Sequence, residues 1–251
     1  MKITVAKTAG FCFGVDRAVS LVYKMVSDKK RVCTLGPIIH NPQVIEDLQE
    51  KGVKIINSPD EDCCGYEVVL RAHGVTKDVV EELKKHSIMY TDATCPYVLK
   101  IHNIVKKYSA ESNTVLIAGD ADHPEVCGFR SYCKGKSFVF KNADELLDLL
   151  KINSDLENKE VVFVSQTTFS VKEWKKCAEI IQKVCTKSIS FDTICRATQN
   201  RQEEADRLSR DVDCMIVIGG RYSSNTVKLY NVCKENCKTY LIERSDELKD
   251  I

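Results

Sequence analysis

Three cysteines occupy the same place in a pattern that this sequence repeats three times. Cys12, Cys95 and Cys195 each stand between a short strand-like run and a segment with a helical pattern. Backbone amides and the dipole at the start of a helix stabilise a thiolate, which is the form of cysteine that binds metals. If the three copies surround a common axis, the three thiolates can meet there and hold a metal ion or an iron–sulfur cluster.

The repeat keeps a fixed register after each cysteine. A glycine that ends an apolar run follows 24 residues later in all three copies, at Gly36, Gly119 and Gly219. Polar residues that open a loop follow 28 residues later, at His40, His123 and Ser223. Chance rarely produces one register three times, so the chain consists of three copies of one α/β unit. We place these units at residues 1–94, 95–194 and 195–251.

Each unit alternates strands with helices. The strand-like runs before the cysteines are residues 2–6, 88–91 and 188–191, and buried-looking strands and second helices follow. This alternation predicts small, mainly parallel sheets, in which ligands bind at the carboxyl ends of the strands. The first two units carry one more strand and a polar loop. The third stops before that point, so we expect it to be unfinished at its C-terminus.

The composition excludes several classes of function. A net charge of +1 gives no electrostatic basis for binding nucleic acid or an anionic membrane surface. No apolar run reaches the roughly 18 residues of a spanning helix, and the N-terminus lacks a signal-peptide pattern. An odd number of cysteines, 13, favours free thiols in the reducing cytoplasm. Outside the repeat position, the other cysteines are expected to be small buried side chains or incidental thiols.

The three thiolates admit two kinds of inorganic centre. Three cysteines can hold zinc with an open fourth position, although catalytic zinc usually also has nitrogen or oxygen ligands. On a [4Fe–4S] cluster, three cysteines leave one iron free for a substrate. The repeat favours the cluster and leaves zinc open.

Polar side chains lie in the loops after the predicted strands. Three of the five histidines, His40, His73 and His123, are among them. Hydroxyl and amide groups accompany them at Thr167, Ser223, Ser224 and Asn225. This set suits a phosphate-bearing ligand. Glu125 is the one carboxylate in the group; enclosed in a ligand pocket it could carry protons, and otherwise it is an ordinary residue of a first helical turn.

Long motifs along the chain resemble the 4-hydroxy-3-methylbut-2-enyl diphosphate reductase family. They cover nearly the whole sequence, in order: GFCFGVDRA (10–18), IHN (39–41), AHGV (72–75), DATCP (92–96), HPEV (123–126), QTT (166–168), ICRATQNRQ (194–202) and SSN (223–225). The resemblance implies an enzyme of the methylerythritol phosphate route that reductively removes the C4 hydroxyl of an allylic diphosphate. The expected products are isopentenyl and dimethylallyl diphosphate, and the expected fold is a trefoil of three α/β units around a central [4Fe–4S] cluster.

The resemblance also implies roles for individual residues. Cys12, Cys95 and Cys195 would be the cluster ligands, Glu125 and Thr167 would act in catalysis together with His123, and Thr167 would also contact the substrate. The diphosphate would be bound by His40, His73, His123, Ser223, Ser224 and Asn225. Electrons would come from an external donor such as a ferredoxin or flavodoxin, since the sequence has no dinucleotide motif. A non-reducing iron–sulfur hydratase or dehydratase and a zinc-stabilised binding protein are the alternatives.

Overall fold

The structure is a computed structural model that describes residues 2–59, 63–111 and 113–250. The helices are α1 (Phe13–Ser27), α2 (Pro42–Glu50), α3 (Lys77–Lys85), α4 (Pro96–Ala110), α5 (Pro124–Arg130), α6 (Ala143–Ile152), α7 (Val171–Val184), α8 (Arg196–Arg210) and α9 (Ser224–Lys234). Short 3₁₀ helices cover Ser154–Asn158 and Ser245–Asp250. The strands are β1 (Val32–Leu35), β2 (Lys54–Ile56), β3 (Glu67–Leu70), β4 (Tyr90–Asp92), β5 (Thr114–Ala118), β6 (Ser137–Phe140), β7 (Glu160–Ser165), β8 (Lys187–Ser190), β9 (Cys214–Ile218) and β10 (Lys238–Ile242).

The described strands form three separate parallel sheets. Their strand orders are β2-β1-β3-β4, β6-β5-β7-β8 and β10-β9. The first two orders are the same arrangement, as expected for copies of one unit. The predicted α/β fold class with small parallel sheets is confirmed. We propose that each sheet with its helices corresponds to one of the units at 1–94, 95–194 and 195–251.

Alternating side chains bury both faces of the first two sheets. In the first sheet, Val32 and Val69 pack against α1 and α2, whereas Cys33 and Val68 pack towards Leu83 of α3. The second sheet has the same alternation, with separate clusters on its two faces. Sheets covered by helices on both sides in this way are rigid, and their strand ends hold the following loops in fixed positions.

The third sheet differs from the other two. Among the described residues it has two strands and a small buried cluster of Ala205, Val217 and Cys233. The prediction that residues 2–6 form a strand is wrong, since they form neither strand nor helix. Ile3 and Val5 in this run are 77% and 76% exposed. The equivalent strands β4 and β8 pair with β3 and β7, whereas none of the described strands pairs with residues 2–6 to supply backbone hydrogen bonds.

None of the helices in the described part of the chain has both the length and the apolar character needed to cross a membrane.

Candidate functional site

The three repeat cysteines all occupy the N-cap position of a helix, and only Cys195 makes a capping bond with its side chain. Cys12 is the N-cap of α1, Cys95 of α4 and Cys195 of α8. All three are free, half-buried thiols. At Cys195 the Sγ atom accepts a hydrogen bond of 3.4 Å from the backbone N–H of Thr198. This is the arrangement in which a helix start stabilises a thiolate.

The structure also brings the three thiols into one neighbourhood. Burial raises the pKa of Cys95, and negative charge on Cys12 and on Cys195 raises it further. The segments that contain Cys12 and Cys95 lie close together at Gly14, where an added Cβ would lie 2.5 Å from Sγ of Cys95. Only glycine fits there, so α1 begins directly against the Cys95 thiol.

The distances among the three thiols distinguish a site for a cluster from a site for a single zinc ion. Sulfur ligands of one zinc ion lie about 2.3 Å from it, so no two of them can be further apart than about twice that distance. Among the described residues, one group of three histidine, cysteine or acidic side chains has ligand atoms all within 4.8 Å of one another, and it consists of histidines. The three thiols do not meet that limit. Ligands of separate irons in a cluster need not meet it.

The histidine group is His40, His73 and His123. Their ring centroids are 4.3 Å apart for His40 and His73, and 5.7 and 5.6 Å from these two to His123. They come from loops after β1, β3 and β5, at the carboxyl ends of strands in two different sheets. The buried Nε2 of His40 and Nδ1 of His73 have no hydrogen-bond partner within the described protein. Buried polar atoms without partners are rare, and two of them in one group of neighbouring rings suit a bound ligand.

Electrostatics in the histidine group favour an anion. Burial lowers the pKa of His40 and holds that of His73 well below its usual range, and it lowers the pKa of His123 to about 4. The guanidinium of Arg71 adds to each of these shifts. The group is therefore a set of neutral imidazoles beside a fixed positive charge. An anionic ligand would raise these pKa values and favour protonated, donating imidazoles.

Arg71 is a site residue that the sequence analysis missed. Its Nε donates to the carbonyl of Gly74 at 3.0 Å, and its Nη1 would lie 2.7 Å from a Cβ at Gly36. Its signal in the sequence is a basic residue at the carboxyl end of a buried strand, two residues before His73.

Glu125 and Thr167 form a buried pair between α5 and the loop after β7. One carboxylate oxygen of Glu125 accepts from the backbone N–H of Thr167 at 2.6 Å, and the other accepts from its hydroxyl at 2.8 Å. Glu125 is 1% exposed, and burial raises its pKa to about 7 even though these two hydrogen bonds oppose the shift. His123 adjoins the pair, because its Nδ1 accepts from the backbone N–H of Glu125 at 3.1 Å. A carboxyl group with this pKa can both hold and release a proton near pH 7.

The third unit contributes the start of α9. Ser223 caps this helix by accepting from the backbone N–H of Thr226 at 3.4 Å, and Asn225 is half-buried in its first turn. Ser224 accepts hydrogen bonds from Gln166 at 3.2 Å and from Thr168 at 2.9 Å. Gln166 is a second residue that the sequence analysis gave no role, although it stands in a quoted motif.

Backbone contacts join these groups into one site. The N–H of Cys95 donates to the carbonyl of Ala72, next to His73, at 2.9 Å. The N–H of Cys195 donates to the carbonyl of Thr167 at 3.0 Å. An added Cβ at Gly220 would lie 2.6 Å from the carbonyl oxygen of His40. The cysteines, the histidines, the Glu125–Thr167 pair and the α9 serines are thus brought together.

Comparisons with known proteins give a consistent result. A family model described as LytB protein matches residues 3–251. Relatives from Caldanaerobacter subterraneus subsp. tengcongensis and Thermoanaerobacter pseudethanolicus, both named 4-hydroxy-3-methylbut-2-enyl diphosphate reductase, are 42% and 43% identical to this chain. Each alignment covers 99% of this chain and 86% of the relative.

Two solved structures have the same fold. One, titled as (E)-4-hydroxy-3-methyl-but-2-enyl diphosphate reductase, is 39% identical with a TM-score of 0.71, covering 98% of this chain and 87% of that one. The other, titled as the E-1-hydroxy-2-methyl-but-2-enyl-4-diphosphate reductase from Plasmodium falciparum, is 30% identical with a TM-score of 0.84. It covers 96% of this chain and 76% of that one.

Proposed function

Because this chain belongs to the LytB protein family, we propose that it is a 4-hydroxy-3-methylbut-2-enyl diphosphate reductase. The reaction takes two electrons and two protons, releases the C4 oxygen as water, and gives isopentenyl or dimethylallyl diphosphate. The observation that carries the proposal is the buried Glu125–Thr167 pair, placed between a group of histidines with unpaired nitrogens and the Cys195 loop.

The donor set fits a [4Fe–4S] cluster held by Cys12, Cys95 and Cys195. Three half-buried cysteines lie at the N-cap positions of helices, the other two raise the pKa of Cys95, and the thiols are not close enough as a group for one zinc ion. The three units would then be arranged around the cluster. When bound, such a cluster supplies single electrons and an iron atom without a cysteine ligand.

The histidine group is suited to hold the diphosphate. His40 and His73 have buried nitrogens that need partners, and phosphate oxygens can supply them. Arg71 provides positive charge next to these rings. Ser223, Ser224 and Asn225 lie at the start of α9, an eleven-residue helix whose amide end favours phosphate groups. These contacts would fix the substrate with its C4 end towards Thr167.

Glu125 and Thr167 are suited to deliver a proton. With a pKa of about 7, Glu125 is about half protonated near neutral pH. The hydroxyl of Thr167 is hydrogen-bonded to this carboxyl and can pass the proton to the C4 oxygen as that oxygen leaves. His123, hydrogen-bonded to the backbone of Glu125, would contact both this pair and the substrate.

The remaining requirements concern partners. An external electron donor, such as a ferredoxin or flavodoxin, would supply the electrons, because none of the motifs provides a flavin or nicotinamide site. We place the protein in the cytoplasm on the support of its odd number of cysteines, 13, a content that suits a reducing compartment.

An anaerobic assay tests the proposal. The protein is purified without oxygen, its iron, sulfide and zinc contents are measured, and substrate loss is followed with and without a chemical reductant. We expect iron and sulfide, and conversion that requires the reductant. Conversion without a reductant would instead identify a hydratase or dehydratase, and zinc without iron or sulfide would identify a zinc protein.

A further inference from the structure

Two of the three repeat cysteines are held by a backbone hydrogen bond to the loop that follows a neighbouring strand. The N–H of Cys95 bonds to the carbonyl of Ala72, two residues after β3, and the N–H of Cys195 bonds to that of Thr167, two residues after β7. These are equivalent strands in their sheets. Within the described residues, no backbone bond of this kind is found at Cys12. The segment that leads into Cys12 is instead bound by two side chains of α8.

Glu204 holds the first part of that segment. Its carboxylate accepts from the backbone N–H of Lys7 at 2.9 Å, from the backbone N–H of Thr8 at 2.8 Å and from the hydroxyl of Thr8 at 2.6 Å. Glu204 is 8% exposed, and the bond from the Thr8 hydroxyl is the main cause of its lowered pKa. Hydrogen bonds to a charged acceptor are among the stronger ones in proteins.

Arg201 holds the second part. Its guanidinium donates to the carbonyl of Thr8 at 3.0 Å and to that of Gly10 at 2.5 Å. Gly10 has a φ of +97°, a conformation that favours glycine, and it turns the chain two residues before Cys12. Arg201 and Glu204 are three residues apart, so they project from the same side of α8. Together they bind the N–H groups of Lys7 and Thr8 and the carbonyl groups of Thr8 and Gly10.

We propose that Arg201 and Glu204 are positioning residues for Cys12. Their side chains bind the backbone of the segment that leads directly into Cys12. Helix α8 then positions two of the three thiols. Cys195 caps its N-terminus, and Arg201 and Glu204 fix the segment that leads to Cys12. As it concerns cluster ligands, the inference rests on the proposed function, although the placement of Cys12 can be measured without any cluster.

The first test measures how firmly the cluster is held. Glu204→Ala is compared with Glu204→Gln and with Glu203→Ala, a control at the exposed neighbouring position on the same helix. In anaerobically reconstituted protein, we expect Glu204→Ala to lose iron to a chelator about 10-fold faster, the size expected for lost charge-assisted hydrogen bonds. The rate of iron loss from Glu204→Gln should lie between those of the unaltered protein and Glu204→Ala, because the glutamine amide keeps one acceptor oxygen. Glu203→Ala should match the unaltered protein, and an equal loss rate in all four proteins would contradict the inference.

The second test needs no metal. In metal-free protein, the alkylation rate of each cysteine is followed by mass spectrometry, and we expect Glu204→Ala to change the rate at Cys12 while Cys95 and Cys195 keep theirs. Unchanged alkylation at Cys12 overturns the inference. If the unaltered protein binds no cluster but Cys12 responds selectively, the proposed cofactor is wrong and the positioning role stands. If Glu204→Ala does not fold, Arg201→Lys replaces it, since lysine keeps the charge but loses the two-donor fork.

Discussion

Replacing Glu125 by glutamine tests the proposed proton delivery directly. Glutamine keeps an oxygen to accept from the Thr167 backbone, and its amide can pair with the Thr167 hydroxyl, so the local structure should persist. The variant cannot donate an acidic proton. General acid catalysis typically contributes about 10²- to 10⁴-fold, so we expect kcat to fall by that order while KM and cluster content change little.

The same substitution has a consequence for stability. The pKa of the Glu125 carboxyl rises on folding from 4.5 to about 7, which corresponds to about 3 kcal/mol between its two protonation states. Because the folded protein binds the extra proton, this contribution to stability is complete below pH about 4.5 and is lost as the pH rises through about 7. Glu125→Gln removes the buried charge. Its free energy of unfolding should therefore exceed that of the unaltered protein by up to about 3 kcal/mol at pH 8 and match it at acidic pH.

Two measurements check this reasoning. Anaerobic steady-state kinetics between pH 5.5 and 9 (a range chosen around the pKa) should show kcat of the unaltered enzyme falling as pH rises through about 7, because the acid form of Glu125 is lost. Denaturant unfolding at several pH values gives the stability difference. Near-normal turnover of Glu125→Gln would remove Glu125 from the mechanism. A stability difference that does not depend on pH would refute the burial argument for its raised pKa.

Three further changes test the rest of the site. Gly14→Ala should prevent cluster binding, since its Cβ would lie 2.5 Å from Sγ of Cys95. In the control Gly135→Ala, the added Cβ meets no atom closer than 3.5 Å, so this variant should bind the cluster normally. Iron analysis of both variants measures the difference. His73→Phe should raise KM about 10- to 100-fold through the loss of a hydrogen bond to a charged ligand. His102→Phe, which removes another buried histidine with an unpartnered Nε2, should leave KM unchanged. Replacing a proposed ligand, Cys12, Cys95 or Cys195, by serine should abolish the visible absorption of the cluster. Replacing the exposed Cys214 by serine is the control and should preserve it.

Local sequence patterns predicted most of the fold because they act over short distances. Apolar spacing of 3.6 residues and of two residues defines helices and buried strands, and the glycine-ended runs mark the strand ends. The pattern placed His40, His73 and His123 in loops after predicted strands, with His40 and His123 at equivalent positions of the repeat, and the structure brings the three ring centroids within 5.7 Å of one another. The expected strand at residues 2–6 failed because a strand needs a pairing neighbour, which a local pattern does not reveal.

The amino-acid sequence by itself determined the family, the three-fold α/β repeat and the residue types available for chemistry, because these depend on order and spacing along the chain. Tertiary structure alone decided that the pKa of Glu125 is raised to about 7, since burial disfavours its charged form more than the hydrogen bonds from Thr167, 42 residues away, favour it. It also decided that Arg71 lies beside the histidines and that Glu204 holds residues nearly 200 positions away. Desolvation and long-range hydrogen bonds arise only when distant segments pack together, so no local pattern encodes them.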